Sequence, residues 1–236
     1  MGNLGSIYAG YQAPAGSIYG GGRPFKLSDL GSTLVGFYTS DVGVSLSGSN
    51  VTGWADQSGH GNNLTGIVDP TYTTSSNAGL PAIVFNGSQM DCSVGGAHTH
   101  RTMFVVLAAI GANASVGVLD SANHSYVTVF NTPNQLQLAT AGSPNSGQTI
   151  TGATPTQLGC VIRANNDVDF YLGRTKTNKT TGTGSFSDAA FTLGADPSGV
   201  QNGQFTIQCL IVCDTALSNA NVAKVQQWLS TKYGVT

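Results

Sequence analysis

The chain has 236 residues, is 40% hydrophobic but only 8% charged, and carries a formal net charge of −2. That length suits one large all-β domain. With so few charges the polar surface must be built from Ser, Thr, Asn, Gln and Gly. No basic run supplies the clustered Lys and Arg that a phosphate backbone requires, which excludes nucleic acid as a partner. All 11 acidic residues are aspartate, so any mechanism that needs a glutamate acid, base or nucleophile is excluded too.

Thirty-two glycines favour turns over long helices. The longest apolar run, Met103 to Ile110, is too short to cross a bilayer as a helix. The N-terminus shows no charged region followed by an apolar one, so no signal peptide is expected and the protein is expected to be made in the cytoplasm and soluble. Cysteines stand at 92, 160, 209 and 213, without metal-binding spacing. They read as free buried thiols, with a bridge such as Cys92 to Cys160 left open.

In chain order, residues 1–24 form a separate Gly/Tyr-rich arm. Gly5-Ser-Ile-Tyr-Ala-Gly10 recurs as Gly16-Ser-Ile-Tyr-Gly-Gly21. Ile7, Tyr8, Tyr11, Ile18 and Tyr19 are too apolar for a solvated tail, so the arm is expected to order on a neighbouring subunit. Gly20-Gly-Gly22 opens no helix and is no phosphate loop.

Residues 25–236 read as one globular domain. Strands are predicted at 34–38 and 51–54, the second running into Asp56 and the dense turn Gln57-Ser-Gly-His-Gly61. Strand 81–85 is predicted to return through an Asn86-Gly87 hairpin to 89–92. The apolar run 102–109 is a central strand buried on both faces. Strands at 115–119, 126–130 and 135–139 follow, then an irregular stretch over 140–156. Strands 158–163 and 168–172 pair across the turn 164–167. In the last strand, Phe205, Ile207, Cys209, Ile211 and Cys213 are placed on one face. Ser218 caps a C-terminal helix whose Val222, Val225 and Leu229 form an apolar stripe, closed by Lys232 and Gly234.

Three segments together carry a resemblance. They are strand 34–38 with Val51-x-x-Trp54-x-Asp56-x-Ser58-Gly59-x-Gly61-Asn62, then Leu80-Pro-Ala-Ile-Val-Phe-Asn-Gly87, and finally Phe191-Thr-Leu-Gly194 with strand 205–213, Ala216-Leu-Ser218 and a helix ending Lys232-Tyr-Gly234. In this order and spacing the chain resembles the concanavalin A-like superfamily, in the laminin-G-like jelly-roll form found in phage and bacterial surface proteins. The resemblance implies two antiparallel sheets forming a jelly-roll sandwich, with one C-terminal helix and an extended N-terminal arm, and binding at the concave face or rim loops. Glycosidases of the fold carry paired glutamates on a central strand. Residues 103–110 carry no acid, so no enzyme activity is expected. Asp167 and Asp169 read as a solvated hairpin end.

Candidate ligand-binding residues are the neutral hydrogen-bonding and aromatic side chains of the loops: Tyr72, His124, Asn131, Asn134, Asn165 and Asn166. Asp56 is either a calcium ligand or a cap that fixes its loop; apart from that calcium no cofactor is called for. His98 and His100 are a weak zinc pair without a third ligand. Trp54 is placed in the core. The expected function is a virion structural protein at the surface of a phage head or tail, a decoration, fibre or spike component. Its lectin-like domain adheres to host glycans, and its arm anchors it to other virion proteins in an oligomeric assembly. A free carbohydrate-binding module is the alternative, and a polysaccharide-degrading enzyme of the fold the third reading.

Overall fold

A computed structural model describes residues 23–93, 101–109, 116–120, 128–131, 135–138, 145–150, 154–163, 167–180, 190–195 and 203–236. Among these, 17 strands and one α-helix follow in order. The strands are β1 (Leu34–Thr39), β2 (Val44–Ser47), β3 (Asn50–Trp54), β4 (Leu64–Val68), β5 (Thr71–Thr73), β6 (Ala82–Asn86), β7 (Gln89–Ser93), β8 (Arg101–Ala109), β9 (Val116–Asp120), β10 (Thr128–Asn131), β11 (Gln135–Leu138), β12 (Asn145–Thr149), β13 (Thr156–Ile162), β14 (Asp167–Leu172), β15 (Thr175–Thr180), β16 (Ala190–Leu193) and β17 (Gln204–Cys213). The helix is α1 (Asn219–Tyr233).

Antiparallel pairing divides these strands into two layers. In the back sheet β1 and β6 share one side of β17, β8 takes the other, β13, β14 and β15 follow, and β5 flanks β6. In the front sheet the order is β2, β3, β4, β7, β16, β9, β10, β11, β12. A single pair, Asn50 with Thr71, links the two layers between β3 and β5.

Two apolar clusters follow from this layering. The first lies between the sheets: Tyr38, Ile83, Phe85, Met103, Val105, Leu158, Phe170 and Ile207 come from the back sheet, and Val51, Trp54, Leu64, Met90, Cys92, Phe191 and Leu193 from the front. Trp54 is 1% exposed, as its place on the strand demands, and its indole N–H donates to the Thr39 carbonyl at 3.0 Å. The second cluster lies on the outer face of the back sheet, where Phe104, Val106, Val161, Tyr171, Cys209, Ile211 and Cys213 meet Val222, Val225, Leu229 and Tyr233 of α1. The helix is bounded as its sequence predicts. Ser218 Oγ accepts from the Asn221 N–H at 3.3 Å, and Gly234, at φ 64°, closes the C-terminus with its N–H on the Ser230 carbonyl.

The last strand departs from the predicted single face. Phe205 and Ile207 point between the sheets, but Cys209, Ile211 and Cys213 point to the helix. The register between β17 and β8 shifts between Ile207 and Cys209, and Gln208 is the extra residue of a bulge. Its buried side chain donates to the Asn77 carbonyl at 3.0 Å, and its carbonyl accepts from the Ser40 N–H at 2.9 Å.

Other expectations are corrected as well. Asn86-Gly87 does not join a hairpin: β6 pairs with β5 and β17 whereas β7 pairs with β4 and β16, so the turn carries the chain from one sheet to the other. Gly87 still takes the left-handed conformation that an Asn-Gly turn supplies, at φ 76°. The stretch 140–156 contains β12. The strands β2, β4, β5 and β15 were not foreseen, because they are short or, as in Thr175-Lys-Thr-Asn-Lys-Thr180, polar throughout. All four cysteines are free and buried, so the Cys92–Cys160 bridge does not form.

Asp169 is not part of a solvated hairpin end, since its side chain is 0% exposed. Arg163 reaches its Oδ2 at 2.6 Å, and Lys176 and Asn178 reach its Oδ1 at 2.9 Å. Arg163 also donates to the Leu217 carbonyl and to Asn219 Oδ1, so this carboxylate orients the residue that ties β13 to the start of α1. Burial pushes its carboxyl up, but the bonds from Asn178, Lys176 and Arg163 outweigh that and hold it below the usual carboxylate range. Asp169→Asn is expected to cost about 2 kcal/mol in urea unfolding, less than for a fully buried pair because Arg163 and Lys176 reach solvent. A depressed folded pKa contributes stability above the unfolded value of about 4 and loses it as pH falls through the folded value. The variant should therefore lose less stability than the parent between pH 4 and pH 2.

Candidate functional site

The loop after β3 is built around one carboxylate. Asp56 Oδ1 accepts from the N–H groups of Phe37 at 2.9 Å and Ser58 at 2.8 Å. Its Oδ2 accepts from Ser58 Oγ at 2.6 Å and the Asn62 N–H at 3.1 Å. The Gln57 N–H donates to the Phe37 carbonyl at 2.7 Å, so the loop lies along β1 almost as an added strand. Gly59 and Gly61, at φ 95° and 75°, turn the chain back, and Asn62 Nδ2 donates to the Val35 carbonyl at 2.6 Å. Tyr38 and Cys92 both donate to the Asn62 carbonyl from inside the sandwich. Burial raises the pKa of the Tyr38 hydroxyl far above its ordinary range and that of the Cys92 thiol to about 11, so both stay protonated donors. Both Asp56 oxygens are thus committed to protein donors. Among the described residues, no three His, Cys, Asp or Glu side chains converge as a metal site. The geometry is that of a brace for the loop.

The brace shapes a cleft. Leu27 and Leu34 lie at its base, Phe37 and Trp228 line it with their rings at 76° and centroids 5.6 Å apart, and Lys26, Ser28, Gln57 and Ser58 complete the lining. Its volume is about 240 Å³.

A second surface lies on the opposite side of the molecule. Because α1 covers the back sheet, the outer face of the front sheet is the sheet face without a helix among the described elements. Strand register sets one row across it: Ser45 opposite Gly53, Gly53 opposite Thr65, Thr65 opposite Asp91, Asp91 opposite Thr192, and Thr192 opposite Asp120. Exposure falls along the row, from exposed Ser45 and Thr65 through half-buried Asp91 to Thr192 at 5%. Gln89 Nε2 donates to Asp91 Oδ1 at 3.0 Å and leaves the remaining lone pairs of that carboxylate available. Hydroxyls and a carboxylate at strand spacing of about 4.8 Å are suited to a ligand that offers hydroxyls at several points.

Of the loop candidates, Tyr72 is half-buried against the inter-sheet core, and its hydroxyl donates to the Ser40 carbonyl at 3.1 Å. Asn131 ends β10, its backbone opposite Gln135. His124, Asn134, Asn165 and Asn166 lie outside the described residues, as do His98 and His100 and the arm residues Ile7, Tyr8, Tyr11, Ile18 and Tyr19. Of the six, the described structure therefore places Tyr72 and the backbone of Asn131. The row it does assemble was missed. Alternation in Gln89-Met-Asp-Cys92 and Phe191-Thr-Leu193 separates the two faces of each strand, but it does not say which strands become neighbours.

No protein-family model matches the chain. No curated protein matches it either. Among solved structures, it is similar to domain 4 of AbnA, a GH43 extracellular arabinanase from Geobacillus stearothermophilus, in complex with arabinotriose, at 15% identity over 83% of this chain and 98% of that one, with a TM-score of 0.61. The fold is a jelly-roll-like β-sandwich. The binding domain of botulinum neurotoxin serotype D matches at 9% identity over 84% of this chain and 52% of its own, with a TM-score of 0.61. Trypanosoma rangeli sialidase in complex with sialic acid matches at 14% identity over 86% of this chain and 34% of its own, with a TM-score of 0.58. The chain thus spans about half of the toxin binding domain and about a third of the sialidase.

These matches correct the expectation of no enzyme activity. The sandwich is shared with chains of a sialidase and of an arabinanase, so the fold gives no ground for excluding catalysis. The expectation rested on the acid-free strand β8, whereas Asp91 of β7 stands on the outer face of the front sheet.

Asp56→Ala removes four hydrogen bonds to one carboxylate. It is expected to lower unfolding free energy by about 3 kcal/mol. Millimolar calcium and a chelator should leave the melting temperature of the parent protein unchanged; a calcium-dependent rise that disappears in Asp56→Ala would restore the metal reading.

Proposed function

We propose that the chain is a carbohydrate-binding β-sandwich of the concanavalin A-like kind, and that the outer face of its front sheet holds the glycan. The observation that carries this is the row Ser45, Gly53, Thr65, Asp91, Thr192, lying in register on the face opposite α1. Exposed hydroxyls of Ser45 and Thr65 exchange hydrogen bonds with sugar hydroxyls, and Asp91 accepts from a pair of them. A chain with 8% charged residues keeps this contact nearly neutral. Similarity to a domain solved with arabinotriose and to a toxin binding domain supports a binding role.

The setting we propose is the surface of a virus particle, in an oligomeric assembly. The arm supports it: two Gly-Ser-Ile-Tyr units carrying large apolar side chains precede a compact domain. The first unit, with Ile7, Tyr8 and Tyr11, is suited to pack against other particle proteins.

A glycan array followed by calorimetry on the full chain tests the binding site. Asp91→Ala and Thr65→Val are each expected to weaken binding of the selected glycan at least tenfold with little change in melting temperature. Full affinity in both variants, or no glycan bound at all, contradicts the reading. Chromatography of the recovered glycan separates the two classes of activity. Intact glycan supports a binding domain, and shortened glycan whose appearance depends on Asp91 reveals an enzyme.

A further inference from the structure

We propose that the cleft between the segment 27–33, the Asp56 loop and Trp228 is the seat of Tyr19 of the same chain. Its lining is mainly apolar. Leu27 and Leu34 are each 3% exposed, and Phe37 and Trp228 stand edge to face beside them. Two of its polar side chains are already committed: Gln57 Nε2 donates to Thr39 Oγ1 at 3.1 Å, and Ser58 Oγ donates to Asp56 Oδ2 at 2.6 Å. A hydroxyl-rich ligand would lose water there and find partners for few of its hydroxyls, whereas an aromatic side chain gains from the burial. Lys26 is the single charged residue of the lining and Ser28 adds a hydroxyl. A tyrosine matches both parts, offering its ring to Phe37 and Trp228 and its hydroxyl to Ser28 or Lys26.

The path of the chain names the source. Asp29 accepts from Arg23 at 2.5 and 3.2 Å and from the Lys26 N–H at 2.9 Å, which fixes the entering strand of chain beside the cleft. Phe25 packs against the helix-side cluster, with Lys224 Nζ 5.9 Å from its ring centre. Immediately before Arg23 stand Gly20-Gly-Gly22, and before them Tyr19. Consecutive glycines supply the φ > 0 conformations that a reversal needs. The four peptide links from Tyr19 to Arg23 reach about 13 Å when extended, enough to return one side chain to a neighbouring cleft. A tether this short holds Tyr19 near the cleft at an effective concentration on the order of millimolar. The second Gly-Ser-Ile-Tyr unit is then an internal latch, and the first is left for a partner.

The chain has two tryptophans, Trp54 in the core and Trp228 at the cleft. Fluorine NMR of the full chain labelled with 5-fluorotryptophan therefore shows two signals, assigned through Trp228→Phe. Tyr19→Ala is expected to move the Trp228 signal and leave Trp54 in place, Tyr8→Ala to move neither, and tenfold dilution of the parent to change nothing. The proposal is overturned if Trp228 does not respond to Tyr19→Ala, or if it responds to Tyr8→Ala instead. A Trp228 signal that shifts on dilution assigns the cleft to a second copy's arm and overturns seating within one chain.

Discussion

One extra residue in the strand at the centre of the back sheet decides how both layers of apolar packing form. Side chains in a strand alternate with period two, so a one-residue slip sends every later side chain to the other face. Gln208 is that residue. Before it Phe205 and Ile207 fill the space between the sheets, and after it Leu210 and Val212 do so while Cys209, Ile211 and Cys213 turn to the helix. The neighbouring β8 keeps strict alternation, with Met103, Val105 and Leu107 inward and Phe104 and Val106 outward. The bulge therefore restores the match between two strands that would otherwise disagree. Its cost is a buried amide, offset by bonds to the 77–81 loop and to Ser40.

The outward set created by the bulge gives α1 its seat. Phe104 lies over Gly159, where a Cβ would come within 2.2 Å of the ring, so the absence of a side chain makes room for the ring in the helix-side cluster. With the helix on the back sheet, the two open features fall in different places. The polar row lies on the front sheet, and the apolar cleft lies where the Asp56 loop, β1 and Trp228 meet. Lys232 adds to the second region, binding both oxygens of Asp41 at 3.1 and 2.9 Å while lying 5.7 Å from the centre of the Trp228 ring.

Much of the fold was legible because its signals are local. A capping serine, an apolar stripe and a terminal glycine set α1, and the apolar run 102–109 became β8 in the middle of the back sheet. Trp54 and Asp56 could be read as architecture from a strand ending in a turn of glycines and self-bonding side chains. What escaped was non-local. Asn86-Gly87 has hairpin chemistry, but whether the two flanking strands pair depends on strands far away in sequence, and here β17 and β16 claim them separately. Asp169 looked solvated because its partners Arg163, Lys176 and Asn178 come together only through hairpin pairing. The open-face row was hidden for the same reason: Thr65, Asp91 and Thr192 are neighbours in the sheet, yet Thr192 follows Asp91 by 101 residues in the chain.

The central claim is that the face left open by the helix is the one that meets the glycan. Amide chemical-shift mapping of the isotopically labelled full chain, titrated with the best glycan from the array, tests it residue by residue. Perturbations centred on Ser45, Gly53, Thr65, Asp91 and Thr192, with the amides of α1 unmoved, are the predicted result. Perturbations confined to the helix side or to the loops that join the strands, with the row silent, would contradict the claim.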